Sequence, residues 1–234
     1  MSIAAWQPFM EPLTRQYRVI RCDFRGQFLS PGPFPTALEE HVQDLVELLD
    51  ELKVERAHIA GVSFGGLVGI LMAALHPERV DRLTIMAATD YTEPWMREDA
   101  ATGRMIAEGA AAGTADGGDL VRQVSAATWS DWWLATQPPD FIESRARMVA
   151  TLPAAYFLGA AAILRLLETL DLRPQLPRIT APTLVLGGQH DRIFPVEHSR
   201  AIAAAIPGAR LEILDGTGHG LLIERMDRVL DLLA

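Results

Sequence analysis

Gly61-Val62-Ser63-Phe64-Gly65 sets one serine in a G-x-S-x-G pattern. Its surroundings give the pattern its weight. An apolar, strand-like run, residues 56–62 (RAHIAGV), ends at the serine, and a small-residue, helix-like run, 64–75, begins there. A sharp strand-to-helix turn lifts a serine hydroxyl clear of a sheet, where it can act as a nucleophile. Gly61 and Gly65 are expected to leave room for that turn, because a Cβ at either position would crowd the neighbouring backbone. The helix that follows aims its N-terminus at the reacting centre. Its dipole and free N–H groups favour developing negative charge there, which makes the backbone N–H of Phe64 a candidate oxyanion donor.

A serine hydroxyl is a weak nucleophile without a base, and the base needs an acid to orient it. His219 is the candidate base. It sits in a glycine-rich loop, Asp215-Gly-Thr-Gly-His-Gly220, just after the last strand-like run. Loops there lie at the C-terminal edge of a parallel sheet, where such proteins place their sites. The other histidines have ordinary readings. His58 falls inside a strand run and is expected in the core, His41 lies on a helix face, His76 stands at a helix end beside Pro77, and His198 begins a helix and is expected to be exposed. His190 adjoins the candidate acid, and a loop usually aims only one of two neighbours inward. That acid is Asp191, in Gly187-Gly-Gln-His-Asp-Arg-Ile-Phe-Pro195 directly after a strand-like run. Asp90 and Asp215 are its rivals.

Several chemistries start from a low prior. Against 30 Asp and Glu the chain has 21 Lys and Arg, a formal net charge of −9, and phosphate backbones repel such a surface. One cysteine allows no intramolecular disulfide, and no Cys/His cluster has zinc spacing. No metal and no cofactor is expected. No apolar run is long enough to span a bilayer, and the first residues, MSIAAWQPFMEPLTRQ, lack the pattern of a secretory signal. A cytoplasmic location is therefore expected, on the condition that Met1 is close to the true N-terminus. A hydrophobic content of 49% with 22% charged residues excludes disorder as the main state.

The elements that must position these residues are strands alternating with helices. Strand-like runs fall at 17–23 (YRVIRCD), 56–62, 80–87, 183–187 and 210–214. Helix-like runs fall at 36–52, 64–75, 197–206 and 221–233. The first helix has apolar residues at Leu38, Val42, Leu45, Leu49 and Leu52, with Thr36 and Glu39 as a capping box. The alternation indicates an α/β fold, a mostly parallel sheet flanked by helices. It is interrupted once, between about 90 and 174, by a stretch without strands that carries Trp129, Trp132, Trp133, Phe141, Tyr156 and Phe157. Residues 1–89 and 175–234 are therefore assigned to the core, and 90–174 to a helical cap. Trp129, Trp132, Trp133, Tyr156 and Phe157 are candidates to line an apolar pocket, with packing of the cap on the core as the alternative for about half of them. Arg145 and Arg147 are two apart, so on a helix they do not form a carboxylate clamp.

Ser63, Asp191 and His219 follow in the chain order Ser…Asp…His, each after a different strand. In this the chain resembles lid-bearing members of the α/β-hydrolase fold superfamily. GVSFGG resembles that family's nucleophile elbow, GGQHDRIFP its acid turn and DGTGHG its histidine loop. Cys22-Asp-Phe-Arg-Gly26, with Ser30 further on, resembles the family's D-x-R-G-x-G-x-S loop, except that Phe28 stands where a second glycine is usual. The resemblance implies a serine hydrolase acting through an acyl-enzyme on a small or medium hydrophobic ester or related acyl substrate. Cofactor-free acyltransferases and perhydrolases share the triad, and a non-catalytic binding protein or inactive member of the fold is the third reading. The family normally begins with further strands. One of them lies between the runs corresponding to 17–23 and 56–62 and is followed by a loop with a second oxyanion donor. Met1 is therefore expected to be an internal methionine of a protein longer by roughly 25–35 residues. The alternative is a shortened fold in which the two flanking strands pair directly.

Overall fold

Apolar side chains on the strands point alternately to two faces, so the sheet has to be covered on both. In the computed structural model, which describes residues 3–233, β1 (Ala57–Val62), β2 (Val80–Met86), β3 (Thr183–Gly188) and β4 (Arg210–Leu214) form one parallel sheet in that order. Leu83, Ile85 and Val185 face one layer, made by α2 (Leu38–Glu51), α3 (Phe64–Leu75) and, further along the chain, α9 (Val196–Ala205). Met86, Leu186 and Leu214 face the other. That layer comprises the 3₁₀ turn Ile3–Phe9, the short helix α1 (Met10–Thr14), and α10 (Leu221–Glu224) with α11 (Met226–Leu233). Helix α3 is buried from Gly66 to Ala74, which explains its uniformly small and apolar sequence.

Between β2 and β3 lies a wholly helical insertion. It contains α4 (Pro94–Ala111), α5 (Asp119–Thr128), α6 (Asp131–Leu134), α7 (Phe141–Ala150) and α8 (Ala154–Leu167). Its two ends meet in an antiparallel bridge between Tyr91 and Asp171, supported by Leu172 N–H donating to Asp90 C=O (2.7 Å) and Thr92 N–H to Leu170 C=O (3.0 Å). Among the described residues, no single helix is long and apolar enough to cross a membrane.

Some local expectations are corrected. Residues 17–23 form no strand. Val19 packs with one core cluster and Ile20 with the other, the alternation of an extended chain. Yet among the described residues no ladder reaches them, and they do not pair with β1, the edge of the sheet. Alternation marks an extended chain, not membership of a ladder. Helix α2 is capped by Glu40 rather than Glu39: its carboxylate accepts from Thr36 N–H (2.8 Å) and Ala37 N–H (3.2 Å), because the helix starts at Leu38 and places Glu40 in its third position. The closing helix breaks at Arg225, whose φ of −137° separates α10 from α11. His58 is exposed on β1, while His198 is buried in α9. Phe28 has φ +42°, so this residue keeps the left-handed backbone that glycine favours.

Candidate active site

The sheet register brings three loops to one edge. Gly61 and Val62 lie opposite Ile85 and Met86, and β3 runs on to Gly188 beside Leu214 of β4. Ser63 follows β1 at once, with φ +54° and ψ −122°. For a non-glycine residue this conformation stores of order 1–3 kcal/mol, and such strain is retained where the surrounding structure imposes it. The clamps are Ser63 N–H donating to Met86 C=O (2.8 Å) and Ser63 C=O accepting from Gly66 N–H (2.8 Å). Gly61 is obligatory, since a Cβ there would lie 2.2 Å from Gly65 O. Gly65 is not: a Cβ on it meets nothing within 4 Å, because its open side faces away from the turn. The crowded second glycine is Gly66, whose Cβ would come within 3.1 Å of Ala88 Cβ.

The acid turn leaves β3 through Gly187-Gly188. A Cβ on Gly188 would lie 2.3 Å from Gly218 O, so glycine there lets the histidine loop pack directly on the strand end. Asp191 is buried. Its Oδ1 accepts from Ile193 N–H and Phe194 N–H, both at 2.9 Å, which fixes the carboxylate plane. Its Oδ2 accepts from His219 Nδ1–H at 2.8 Å. That bond assigns the tautomer and leaves the Nε2 lone pair to the Ser63 hydroxyl, which donates to it across 3.0 Å. The Phe194 ring meets the imidazole edge-on at 5.3 Å. Phe64 N–H, at the start of α3, has no acceptor among the described residues. Ser63, Asp191, His219 and the Phe64 amide thus stand together.

The rival residues are engaged elsewhere. Asp90 is buried and accepts from His198 Nδ1–H at 2.6 Å. Asp215 and His190 are exposed. His41 is buried between Phe24 and Phe64, and burial lowers its pKa from 6.5 to about 4, so the ring is neutral. His76 is partly exposed beside Glu78. Among the described residues no group of three or more His, Cys, Asp or Glu is arranged to hold a metal ion.

The aromatic residues of the insertion divide. Trp129 is buried with its ring over Gly220, stacked on Trp133 at 4.4 Å. Trp132 turns away, donating its Nε1–H to Gly216 C=O (2.5 Å) beneath the Arg225 guanidinium. Phe157 packs inside the insertion with Ala107 and Ala161. Tyr156 is half-buried against Phe28 (5.5 Å), and burial raises its phenol pKa. Arg145 lies over Phe141 and Trp129 at 5.4 and 5.9 Å. Sequence reasoning missed Arg192, beside the acid, which bonds the carbonyls of Ala126 and Trp129 and the Asp131 carboxylate. It also missed Glu224, which is buried behind the histidine loop.

A parallel sheet with serine, acid and histidine loops rising from the ends of β1, β3 and β4 is the frame of the α/β hydrolase fold. The sequence profile of that family matches residues 1–225, so the chain belongs to it, and it is a hydrolase. Among relatives, it is 30% identical over 226 residues to RutD of Stutzerimonas stutzeri (strain A1501), a protein assigned by name only to carbamate hydrolysis; the match covers 93% of this chain and 80% of that one. A hydrolase from Pseudomonas aeruginosa PA01 superposes with a TM-score of 0.84 at 30% identity, covering 99% of this chain and 84% of that one. The enol-lactonase from Burkholderia xenovorans LB400 superposes at 0.83 with 28% identity, covering 99% and 85%.

Proposed function

We propose that the chain is a serine hydrolase that cleaves a small or medium hydrophobic ester, or a related acyl substrate, through a covalent intermediate on Ser63. The single observation that carries this reading is the chain of hydrogen bonds from Ser63 Oγ through His219 to Asp191, at 3.0 and 2.8 Å. Ser63 Oγ attacks the carbonyl carbon while its proton passes to His219 Nε2. Asp191 keeps the imidazole in the required tautomer and stabilises the imidazolium. The carbonyl oxygen gains charge facing Phe64 N–H and the dipole of α3. The imidazolium then gives its proton to the departing alkoxide, which leaves as an alcohol, and the acyl group remains as an ester on Ser63 Oγ. Water attacks that ester as its proton goes to Nε2, and the imidazolium then returns the proton to the departing Ser63 Oγ, giving the carboxylic acid, free Ser63 and neutral His219.

The insertion acts as a cap in this reading. Trp133 and Tyr156 offer apolar surface for the acyl or leaving group, while Trp129, Trp132 and Phe157 serve packing. Carbamates and enol-lactones, named for the relatives, present a carbonyl open to the same attack. A panel of p-nitrophenyl acetate, a lactone and a carbamate ranks them. The test of the reading itself is labelling by a fluorophosphonate. Wild type is expected to label and Ser63→Ala not to. Folded wild type that does not label, or a label that survives Ser63→Ala, overturns the reading. With an alcohol present, transfer product exceeding hydrolysis product would assign the acyltransferase alternative.

A further inference from the structure

Behind the histidine loop lies a buried carboxylate that the steps above do not use. Glu224, the last residue of α10, is 7% exposed, and none of the ion pairs among the described residues includes it. Its hydrogen bonds come from neutral donors on two segments, one six positions earlier and the other 94. Oε1 accepts from Ser130 N–H (3.1 Å) and Gly218 N–H (3.3 Å), and Oε2 from Ser130 Oγ–H (2.5 Å) and Gly218 N–H (3.2 Å). Gly218 directly precedes His219, and Ser130 directly precedes α6 of the insertion. A carboxylate removed from water without a cation is costly to hold, and charge-assisted bonds from well-placed donors are what make it tolerable.

The two segments meet backbone to backbone. A Cβ on Gly218 would lie 2.7 Å from Thr128 O and 2.8 Å from Ser130 N, and one on Gly220 would lie 2.3 Å from the Trp129 ring. Gly220 N–H donates to Thr128 C=O at 2.9 Å. Residues 128–130 therefore bracket His219 on both sides, and Glu224 fastens the bracket at Gly218. We infer that Glu224 is a positioning residue: it locks the insertion to the histidine loop and so sets the reach of His219 Nε2 to Ser63. The inference rests on the reading of Ser63, His219 and Asp191 as the reacting triad. A shift at Ser130 is carried through Glu224 and Gly218 to the base, so the position of the insertion and the alignment of the base are coupled.

The test compares Glu224→Ala, Glu224→Gln and Ser130→Ala in the full chain. The readouts are kcat per fluorophosphonate-titrated site, KM, and thermal melting. A misplacement of about 1 Å at the base costs about 100-fold, so Glu224→Ala should lose about that in kcat per titrated site with a small change in KM. Glu224→Gln should recover most of it. Its amide oxygen can accept from Ser130 N–H and Gly218 N–H, and its NH₂ can donate to Ser130 Oγ. Ser130→Ala, which loses one donor, should fall between. A purely structural role would lower the melting temperature and the titratable fraction while leaving kcat per site unchanged, and that result overturns the inference. So does a Glu224→Gln enzyme as slow as Glu224→Ala. If Glu224→Ala does not fold, Ser130→Ala decides: unchanged kcat per site refutes coupling. Ser63→Ala and His219→Ala run alongside. Near-wild-type kcat in either means that the triad reading has failed, whereas a loss of several orders of magnitude in both with full kcat in the Glu224 variants removes this inference alone.

Discussion

Gly188→Ala is the sharpest test of how the acid and histidine loops are held. A Cβ at this position would sit 2.3 Å from Gly218 O, 2.6 Å from Thr217 O and 3.0 Å from Gly218 C. Each obstacle is backbone, so no side chain can swing aside. Cβ contacts below 3.0 Å are essentially never seen, so the histidine loop must retreat by at least about 0.7 Å in a closely packed interior. The loop is also tied to the acid turn by His190 N–H donating to Thr217 C=O at 2.8 Å, so the retreat strains that bond. Carried to His219, it lengthens the 2.8 Å bond to Asp191 to about 3.5 Å, beyond useful hydrogen-bond range. The expected stability loss is that of an overpacked interior, about 1–3 kcal/mol. The expected catalytic loss is about 100-fold in kcat/KM, comparable at about 2.7 kcal/mol. The assay is hydrolysis of p-nitrophenyl acetate by variant and wild type, normalised to folded protein by thermal melting. A folded Gly188→Ala enzyme within about twofold of wild-type kcat/KM would refute the reasoning.

Three further outcomes follow from the geometry. Asp191→Asn should drop kcat by about 10⁴-fold by reversing the hydrogen bond that sets the His219 tautomer. Asp90→Asn should cost about 1–3 kcal/mol of stability through His198 while leaving kcat near wild type, and the opposite pattern would transfer the acid role to Asp90. Gly61→Ala should fail to fold or melt far lower, because its Cβ meets Gly65 O at 2.2 Å, whereas Gly65→Ala should melt at or above wild type, as alanine is the better residue in a helix. For pH, burial of His41, only partly offset by Asp44 and Glu40, lowers its pKa from 6.5 to about 4, so unfolding takes up a proton between those values and stability rises with pH across that window. The effect is at most about 3 kcal/mol and nearer half that with solvent screening. Denaturant titrations of His41→Phe should show a shallower rise over this window than wild type, and equal slopes would count against the buried, neutral imidazole.

Ser63, Asp191 and His219 were legible as candidates because each sits in a motif whose meaning is local. A glycine-flanked serine between a strand and a helix, a Gly-Gly acid turn and a glycine-rich histidine loop all announce themselves within a few residues. What was not legible depends on partners far along the chain. Residues 17–23 alternate correctly for a strand, but alternation says nothing about which neighbour takes the backbone bonds. His198 looked like an exposed residue in the first turn of α9 until Asp90, 108 positions earlier, supplied its partner. Glu224 ends an apolar run and has the look of the solvent face of an amphipathic helix. Its donor at Ser130 lies 94 positions away. Gly65 was misjudged for a different reason: the pattern marks two glycines alike, while the turn crowds one and leaves the other open.

The insertion is anchored in two places, and the anchors decide how it can move. At its base, Asp90 is held by His198 from α9, and the Tyr91–Asp171 bridge closes the entering and leaving chains on each other. The Arg173 guanidinium lies 4.2 Å from the centre of the Tyr91 ring, on the same clasp. At residues 126–132, Arg192 reaches over from the acid turn, Trp132 Nε1–H donates to Gly216 C=O of the histidine loop, and Thr128 C=O accepts from Gly220 N–H of that loop. A body fixed at both points does not swing open as a rigid lid. Helices α7 and α8 are tied to the same two places: Thr92 Oγ–H donates to the Leu167 carbonyl at the end of α8, and Arg145 of α7 lies 5.9 Å over the Trp129 ring. On these helices Phe28 meets Tyr156, and Leu158 and Met148 are exposed. On the proposed reading of Ser63, Asp191 and His219, the insertion is therefore part of the frame that aligns the base rather than a lid hinged apart from it.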